Sequence, residues 1–406
     1  MSLHDWAALP PELQSLVLCR LEVADYVRFG AVCRSWCWTV AQRICLPKSQ
    51  IPWLMLSNSS DPDTRRFFSR ADQKMYKIHL PEIHGHSCIG SSDGWLITVD
   101  ELSELHALNP LTGASLAFPS VTTFSDLADA VRHSDGRITD YVLVAYDEEV
   151  PNEVEEMRLW YYSKAILHPS VVVVIHGEFN DLAFAHPGDD SWTELQVQPQ
   201  RRAGFTDIIF RKGLLHALGH SGEIMVFDLD APGSPMVTRV ARPHSHKMWQ
   251  GCDQNHLVES PDGKDLFQVW SLSRWLPVDG NRRRKSILPG DARMNTEFVV
   301  FKLDDDDDDW SEVEDLGDLA LFLGLNRSMA LSTREFPDLT SSCIYFPDAY
   351  RVAHTMDRRF IHDVVAFNLK DGSSHSHLTV SKWNWLPQIW ITPDPFSSML
   401  AASSKP

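Results

Sequence analysis

After Pro47 the chain becomes a succession of short β-prone runs separated by turn residues, and some of those runs echo one another. Trp95–Val99, Tyr141–Val144 and Val171–Ile175 are examples, and strands recurring in this way restrict the fold to an all-β sandwich, barrel or propeller. Internal similarity narrows the choice. Leu105-His106-Ala107-Leu108 precedes a turn at Gly113, and Leu215-His216-Ala217-Leu218 precedes one at Gly222. Ser191–Leu195 resembles Asp309–Val313, each after an acidic turn, and Val226–Leu229, Val300–Leu303 and Ala366–Leu369 share a third pattern. Repeats of this kind indicate propeller blades of about 40 to 50 residues each. The roughly 320 residues from Lys77 onward would then make about six or seven.

The N-terminus follows a different period. Pro10 and Pro11 suit the first turn of a helix, where a missing N–H costs nothing, and Leu13, Leu16, Val17 and Leu21 then fall at helical spacing. Asp25 is a good N-cap for a second start, from which Val27, Phe29 and Val32 lead into Cys33, Trp36 and Val40. Three short helices in about forty residues expose more apolar surface than so small a bundle covers by itself. A small α-domain and one large β-domain is the organisation expected of 406 residues.

Charge and cysteine content bear on partners and compartment. A formal net charge of -18 would repel a phosphate backbone or an anionic membrane, so a protein partner is expected in place of nucleic acid or lipid. The 7 cysteines are odd in number and scattered, which fits reduced thiols and a cytoplasmic or nuclear location. Met1–Ala8 lacks the features of a secretory leader, and no apolar run approaches a membrane span. Arg282–Lys285 forms a basic cluster that would serve as a nuclear import signal or as a solvated loop.

Leu9-Pro10-Pro11-Glu12-Leu13, then Leu21, Asp25 and Val32-Cys33-Arg34-Ser35-Trp36, resemble the F-box signature. The pattern departs at Cys37, where a basic residue is commoner, and at Tyr26, where leucine is. The resemblance implies a module that binds a Skp-type adaptor and, through it, a cullin and a RING protein. Leu9, Pro10, Leu13, Leu16 and Leu21 are the expected adaptor contacts, while Val17, Val32 and Trp36 are expected to hold the helices together. For Leu16 the packing role is an alternative.

Further along, Gly90–Leu96, Leu108–Gly113, Leu182–Asp189, Phe298–Leu303, Leu316–Gly324 and Pro387–Pro393 resemble, in order, a plant-expanded domain of unknown function, the two-nine-five family. That family commonly follows an F-box and is kelch-like in fold. The resemblance implies a mainly β protein: an F-box over 5–46, a linker and the start of the β-domain over 47–76, a β-propeller over 77–396 and a flexible tail over 397–406. The implied function is substrate recognition for a ubiquitin ligase, with a protein target on the propeller. A second reading is a propeller that binds a small ligand or glycan, its F-box a decoy or a localising element.

Sharper chemical motifs give way to structural readings. Gly90-Ser91-Ser92-Asp93-Gly94 fits a hydrolase nucleophile elbow, but a β-prone run follows where a helix is needed. The aspartates from Asp304 to Asp309 lack the alternation and glycine of a calcium loop and read as a solvated hairpin. The paired histidines lack zinc-site spacing, so no metal, cofactor or catalytic residue is assigned. The stretch Pro277–Asp291 reads as an exposed loop, and Asp147–Met157 as an acidic rim loop whose Glu153, Glu155 and Glu156 are candidate target contacts.

Overall fold

The computed structural model describes residues 6–42, 51–56, 61–169, 171–195, 197, 204–231, 237–241, 254–277, 292–304, 309–347, 362–380 and 388–396. The basic cluster Arg282–Lys285, the loop residues 278–291, the aspartates 305–308 and the tail 397–406 lie outside the described residues.

Three helices open the chain: α1 (Pro11–Leu18), α2 (Val23–Gly30) and α3 (Arg34–Ala41). Pro11 takes the first helical position, as its missing N–H allows. Asp25 does not cap α2; Glu22 holds the cap position without a side-chain bond, and Asp25 pairs with Arg28 at 2.9 Å along the first turn. The small core is Leu18, Tyr26 and Phe29, with Leu21, Trp36 and Val40 packed against it. Trp36 stacks on Phe29 with ring centroids 4.1 Å apart.

Six sheets then form the blades of a ring. Blade 1 orders its strands Ile389–Ile391, Trp53–Leu56, Thr64–Ser69 and Lys74–His79, so the last described strand is hydrogen-bonded to the first. Its register runs Trp53↔Ile391 to Met55↔Ile389. Blade 2 is Ser87–Ser92, Trp95–Val99, Leu105–Leu108 and Ser115–Ala117; blade 3 is Tyr162–His168, Val171–His176, Asp181–Ala185 and Thr193–Glu194. Blade 4 runs from Phe205–Arg211 to Val237–Ala241, and blade 5 from Gln254–Glu259 to Asp309–Val313. Blade 6 has five strands between Leu319 and Val380, one pair of them parallel.

The continuous apolar runs follow from burial on both faces of each blade. Side chains alternate across a strand. In Val171–His176, Val172 and Val174 enter the core between blades 2 and 3, whereas Val171, Val173 and Ile175 enter the core between blades 3 and 4. Likewise Leu54 and Leu56 face blade 6 while Trp53 and Met55 face blade 2. Six such inter-blade cores link the blades in sequence, the last between blades 6 and 1, and so close the ring.

A buried ion pair sits where the inner strands converge. Lys164 and Asp207 of adjacent blades meet at 2.5 Å and are 1% and 0% exposed. The Lys164 Nζ also donates to the Gly324 carbonyl at 3.3 Å, and Asp207 accepts from the Leu257 N–H at 2.8 Å, so four blades are tied at one point. Burial pushes the Asp207 carboxyl up, but Lys164 and His256 together outweigh it and hold the group below the usual carboxylate range. The neighbouring His256 is driven down by burial and stays neutral.

A seventh sheet stands outside the ring. Leu127–Arg132, Ile138–Ala145 and Glu148–Glu153 form a three-stranded insertion between blades 2 and 3, whose inner strands pack directly on each other. A helix, α4 (Val154–Trp160), returns the chain to the ring.

The sequence echoes differ in what they mark. Trp192 and Trp310 lie at or beside the outermost strands of blades 3 and 5, and the three Phe-containing runs all lie second from the outer edge of their sheets. The two Leu-His-Ala-Leu runs are both strands that lead into hairpins, yet one is the third strand of its blade and the other the second. Asp93 and Gly94, at φ 46° and 87°, turn Ser87–Ser92 back into Trp95–Val99, the hairpin reading of that motif. Cys33, Cys37, Cys88 and Cys343 are free thiols, whereas Cys19, against the expectation of reduced thiols throughout, is disulfide-bonded.

Candidate functional site

The first site is the uncovered side of the helical module. Its core is small enough that Leu13, Leu16, Val17, Val32 and Trp38 all remain outside it, with Leu16 59% and Val32 60% exposed. Pro10 is exposed, and Leu9 is half-buried. Leu21 is half-buried against the helical core. Of the expected core residues only Trp36 packs inward; Val17 and Val32 are corrections. The reason is the identity of the buried face of α1, which is Gln14 and Leu18. Gln14, 0% exposed, donates through Nε2 to the Leu9 carbonyl at 2.6 Å and to Ser35 Oγ at 3.1 Å, and accepts from Thr39 Oγ1 at 2.5 Å. A glutamine at the centre turns the apolar Leu13-Leu16-Val17 side outward, and hydrophobic periodicity alone assigns that side to the interior.

The helices are seated on the propeller. Phe396, just past the strand Ile389–Ile391, meets Tyr26 edge-on at 5.4 Å and packs on the helical core. Ala24 packs against the core between blades 1 and 2, and the Arg28 guanidinium lies 5.9 Å from the Tyr76 ring centroid. Successive antiparallel strands place their turns alternately on the two faces of a propeller. Phe396 emerges on the face of the third-to-fourth-strand turns, where Asn109 donates to the Asp394 carbonyl at 2.8 Å.

The second site lies on the opposite face, beside the inserted sheet. A cavity of about 300 Å³ opens between that sheet and the second-to-third-strand turn of blade 3. Val144, Val150, Trp160 and Phe179 supply its apolar walls, Asp126 and Glu178 its carboxylates, and no lining side chain is basic. Tyr161 donates to Asp126 Oδ1 at 2.6 Å. Burial nevertheless raises the Asp126 carboxyl to about 6, with Glu194 and Asp181 pushing the same way and the Tyr161 bond opposing. Exposed Tyr146 meets Phe179 edge-on at 5.0 Å near the rim.

The expected acidic rim loop Asp147–Met157 is instead regular structure. Glu148–Glu153 pairs with Ile138–Ala145 in register from Glu148↔Ala145 to Glu153↔Asp140, and α4 buries Val154 and Met157. Tyr146 and Asp147, at φ 53° and 64°, make the hairpin turn without the Asn-Gly or Asp-Gly sequence that would advertise it. Glu153, Glu155 and Glu156 are exposed on this segment but do not line the cavity. Asp126, Trp160 and Phe179 come from three separate segments and carry no local motif, so the sequence offers no signal for them. Among the described residues no group of three His, Cys, Asp or Glu side chains is placed to hold a metal.

Comparison with known proteins accords with this two-part build. Residues 6–37 match the F-box domain, and residues 67–368 match the family described as the KIB1-4 beta-propeller. The F-box/kelch-repeat protein At1g57790 of Arabidopsis thaliana is 25% identical over 84% of this chain and 83% of its own length. The F-box protein SKIP23 of the same plant is 24% identical over 96% of each chain, and the F-box protein KIB4 is 24% identical over 82% of this chain and 80% of its own. An F-box seated on a closed six-bladed ring, with a family match across most of that ring, makes this chain a member of the KIB1-4 beta-propeller family that carries an F-box.

Proposed function

We propose that this chain is the substrate-recognition subunit of an SCF-type (Skp–cullin–F-box) ubiquitin ligase, the F-box binding a Skp-type adaptor and the propeller holding a protein target. One observation carries the reading: an F-box whose large apolar side chains Leu13, Leu16, Val17, Val32 and Trp38 stay 43–60% exposed while its own core is complete. Such apolar anchors are what a helical module presents to a protein partner. Leu9, Pro10, Leu13 and Leu16 are the contacts with the adaptor, and Val17 and Val32 join them. Cullin and RING protein follow through the adaptor, in the cytoplasm or nucleus. The chain supplies position in place of chemistry, raising the effective concentration of a target lysine near the charged conjugating enzyme.

The test is recovery of a plant Skp-type adaptor by the full chain and by Leu16→Asp. Wild-type recovery with a loss of at least tenfold in the variant supports the reading. Recovery by neither overturns it and leaves a propeller receptor whose F-box is a decoy, and equal recovery by both overturns the exposed apolar face of α1 as the adaptor contact. Point variants are preferable to deleting residues 1–45, because deletion would strip Tyr26 from Phe396 and uncover the propeller surface beneath Ala24.

A further inference from the structure

The cavity beside the inserted sheet combines features that recognition of a cation requires. Its walls are aromatic and aliphatic, its charged groups are the carboxylates of Asp126 and Glu178 beside the Asn152 amide, and no lining side chain is basic. The strand bordering it carries exposed Glu148 on the same face as Val150 and Asn152. It opens on the face of the ring opposite the F-box, where an adaptor on the helices leaves it free.

We propose that this cavity takes the guanidinium of an arginine in the recruited protein, stacked against Trp160 and Phe179 with its charge between Asp126 and Glu178. The inference rests on the reading of the propeller as a target-binding domain and names the chemistry of what it binds. Arginine fits better than lysine on two grounds. Its guanidinium is planar and weakly hydrated, so it gives up water readily and stacks on aromatic faces. A lysine held in the cavity would also be withdrawn from the ubiquitin transfer that the ligase serves.

The Asp126 carboxyl would respond to a bound cation. Burial, Glu194 and Asp181 raise the group to about 6 against the hydrogen bond from Tyr161. A bound cation would draw it back down, so by linkage affinity must fall as pH drops through that value. Glu178 lines the same cavity.

The probe is a fluorescein-labelled pentapeptide amide, Ser-Gly-Arg-Gly-Ser, with lysine and glutamine versions, titrated by polarisation against the full chain. At pH 7.5 the arginine peptide is expected to bind at least tenfold more tightly than the glutamine peptide and severalfold more tightly than the lysine peptide. Its advantage should shrink at pH 5. Glu178→Gln should weaken it, and Val144→Lys should abolish it by placing the protein's own cation at the mouth. Val144 is 40% exposed, so that substitution leaves the core intact. Equal binding of the arginine and glutamine peptides, equal binding of arginine and lysine, or undiminished arginine binding in both variants would each overturn the proposal. Adaptor recovery is a separate measurement. Arginine discrimination by a chain that fails to retain the adaptor sinks the ligase reading alone, whereas adaptor retention without discrimination sinks the cavity assignment alone.

Discussion

Single residues set the limits of both modules. Gln14 fixes the helical module through three hydrogen bonds, and Gln14→Ala would leave the Leu9 carbonyl without its donor and the Thr39 hydroxyl with only its longer bond to the Ser35 carbonyl. The expected cost is about 1–3 kcal/mol, seen as a lower unfolding transition of the helices by circular dichroism. Lys164→Met leaves Asp207 charged and buried without its cation. A loss of about 3–5 kcal/mol is expected from breaking such a pair, and denaturant titration of the purified protein measures it. His176 offers a pH test. It is buried against Phe124 and Tyr161, neither ring nitrogen has a hydrogen-bond partner, and burial lowers it to about 3. Folded, it stays neutral where the unfolded chain takes up a proton, so its contribution is full above the ordinary imidazole value of about 6.5 and declines as pH falls from there towards about 3. Asp126, raised to about 6, acts in the opposite sense between its unfolded and folded values, gaining stability as pH falls. The difference between wild type and His176→Phe isolates the histidine: the variant should lose less stability between pH 7 and pH 5, and equal losses would contradict the burial argument.

Among elements, the helices of the F-box and the inserted sheet behave differently under mutation. The apolar residues at the start of α1 lie outside the helical core, so Leu9→Ala with Pro10→Ala should reduce adaptor recovery severalfold while the calorimetric transition of the propeller stays in place. Unchanged recovery would move the interface to Leu13, Leu16 and Val17 on the same helix. The modules do not have wholly separate cores, because Phe396 packs on Leu18, Tyr26 and Phe29. Phe396→Ala should therefore lower the helical transition, with no change in adaptor contact, a split that separates support from binding. The inserted sheet presents Val131, Val144, Tyr146 and Val150 at 40–72% exposure, and its outward side chains are free of the inter-blade packing that commits the blade strands.

At the scale of the whole molecule, closure decides stability. The strand Ile389–Ile391 belongs to blade 1 although about 310 residues of chain separate it from the last strand of that blade, Lys74–His79. Ending the chain before Ile389 removes the inner strand of blade 1 and the Trp390 side chain from the core shared with blade 6. The truncated chain should expose apolar surface and aggregate, which size-exclusion chromatography would show; a monomer with an unshifted transition would refute the closure argument. The sequence by itself determined the helical start, the change to period-two strands after Pro47 and the recurrence of blades, because these are written in local spacing and turn chemistry. The runs Trp95–Val99 and Val171–Ile175 announce strands buried on both faces from their composition alone. Of the inserted sheet the central strand was legible as Tyr141–Val144, but its hairpin partner Glu148–Glu153 was not, because that strand is acidic and the turn at Tyr146-Asp147 lacks a glycine. The outward rotation of Leu13, Leu16 and Val17 was decided by Gln14 meeting Ser35 and Thr39, residues more than twenty positions away. The cavity was decided by the tertiary structure for the same reason: Asp126, Trp160 and Phe179 acquire their chemistry only when an insertion, a helix and a blade turn converge, and no local pattern encodes that convergence.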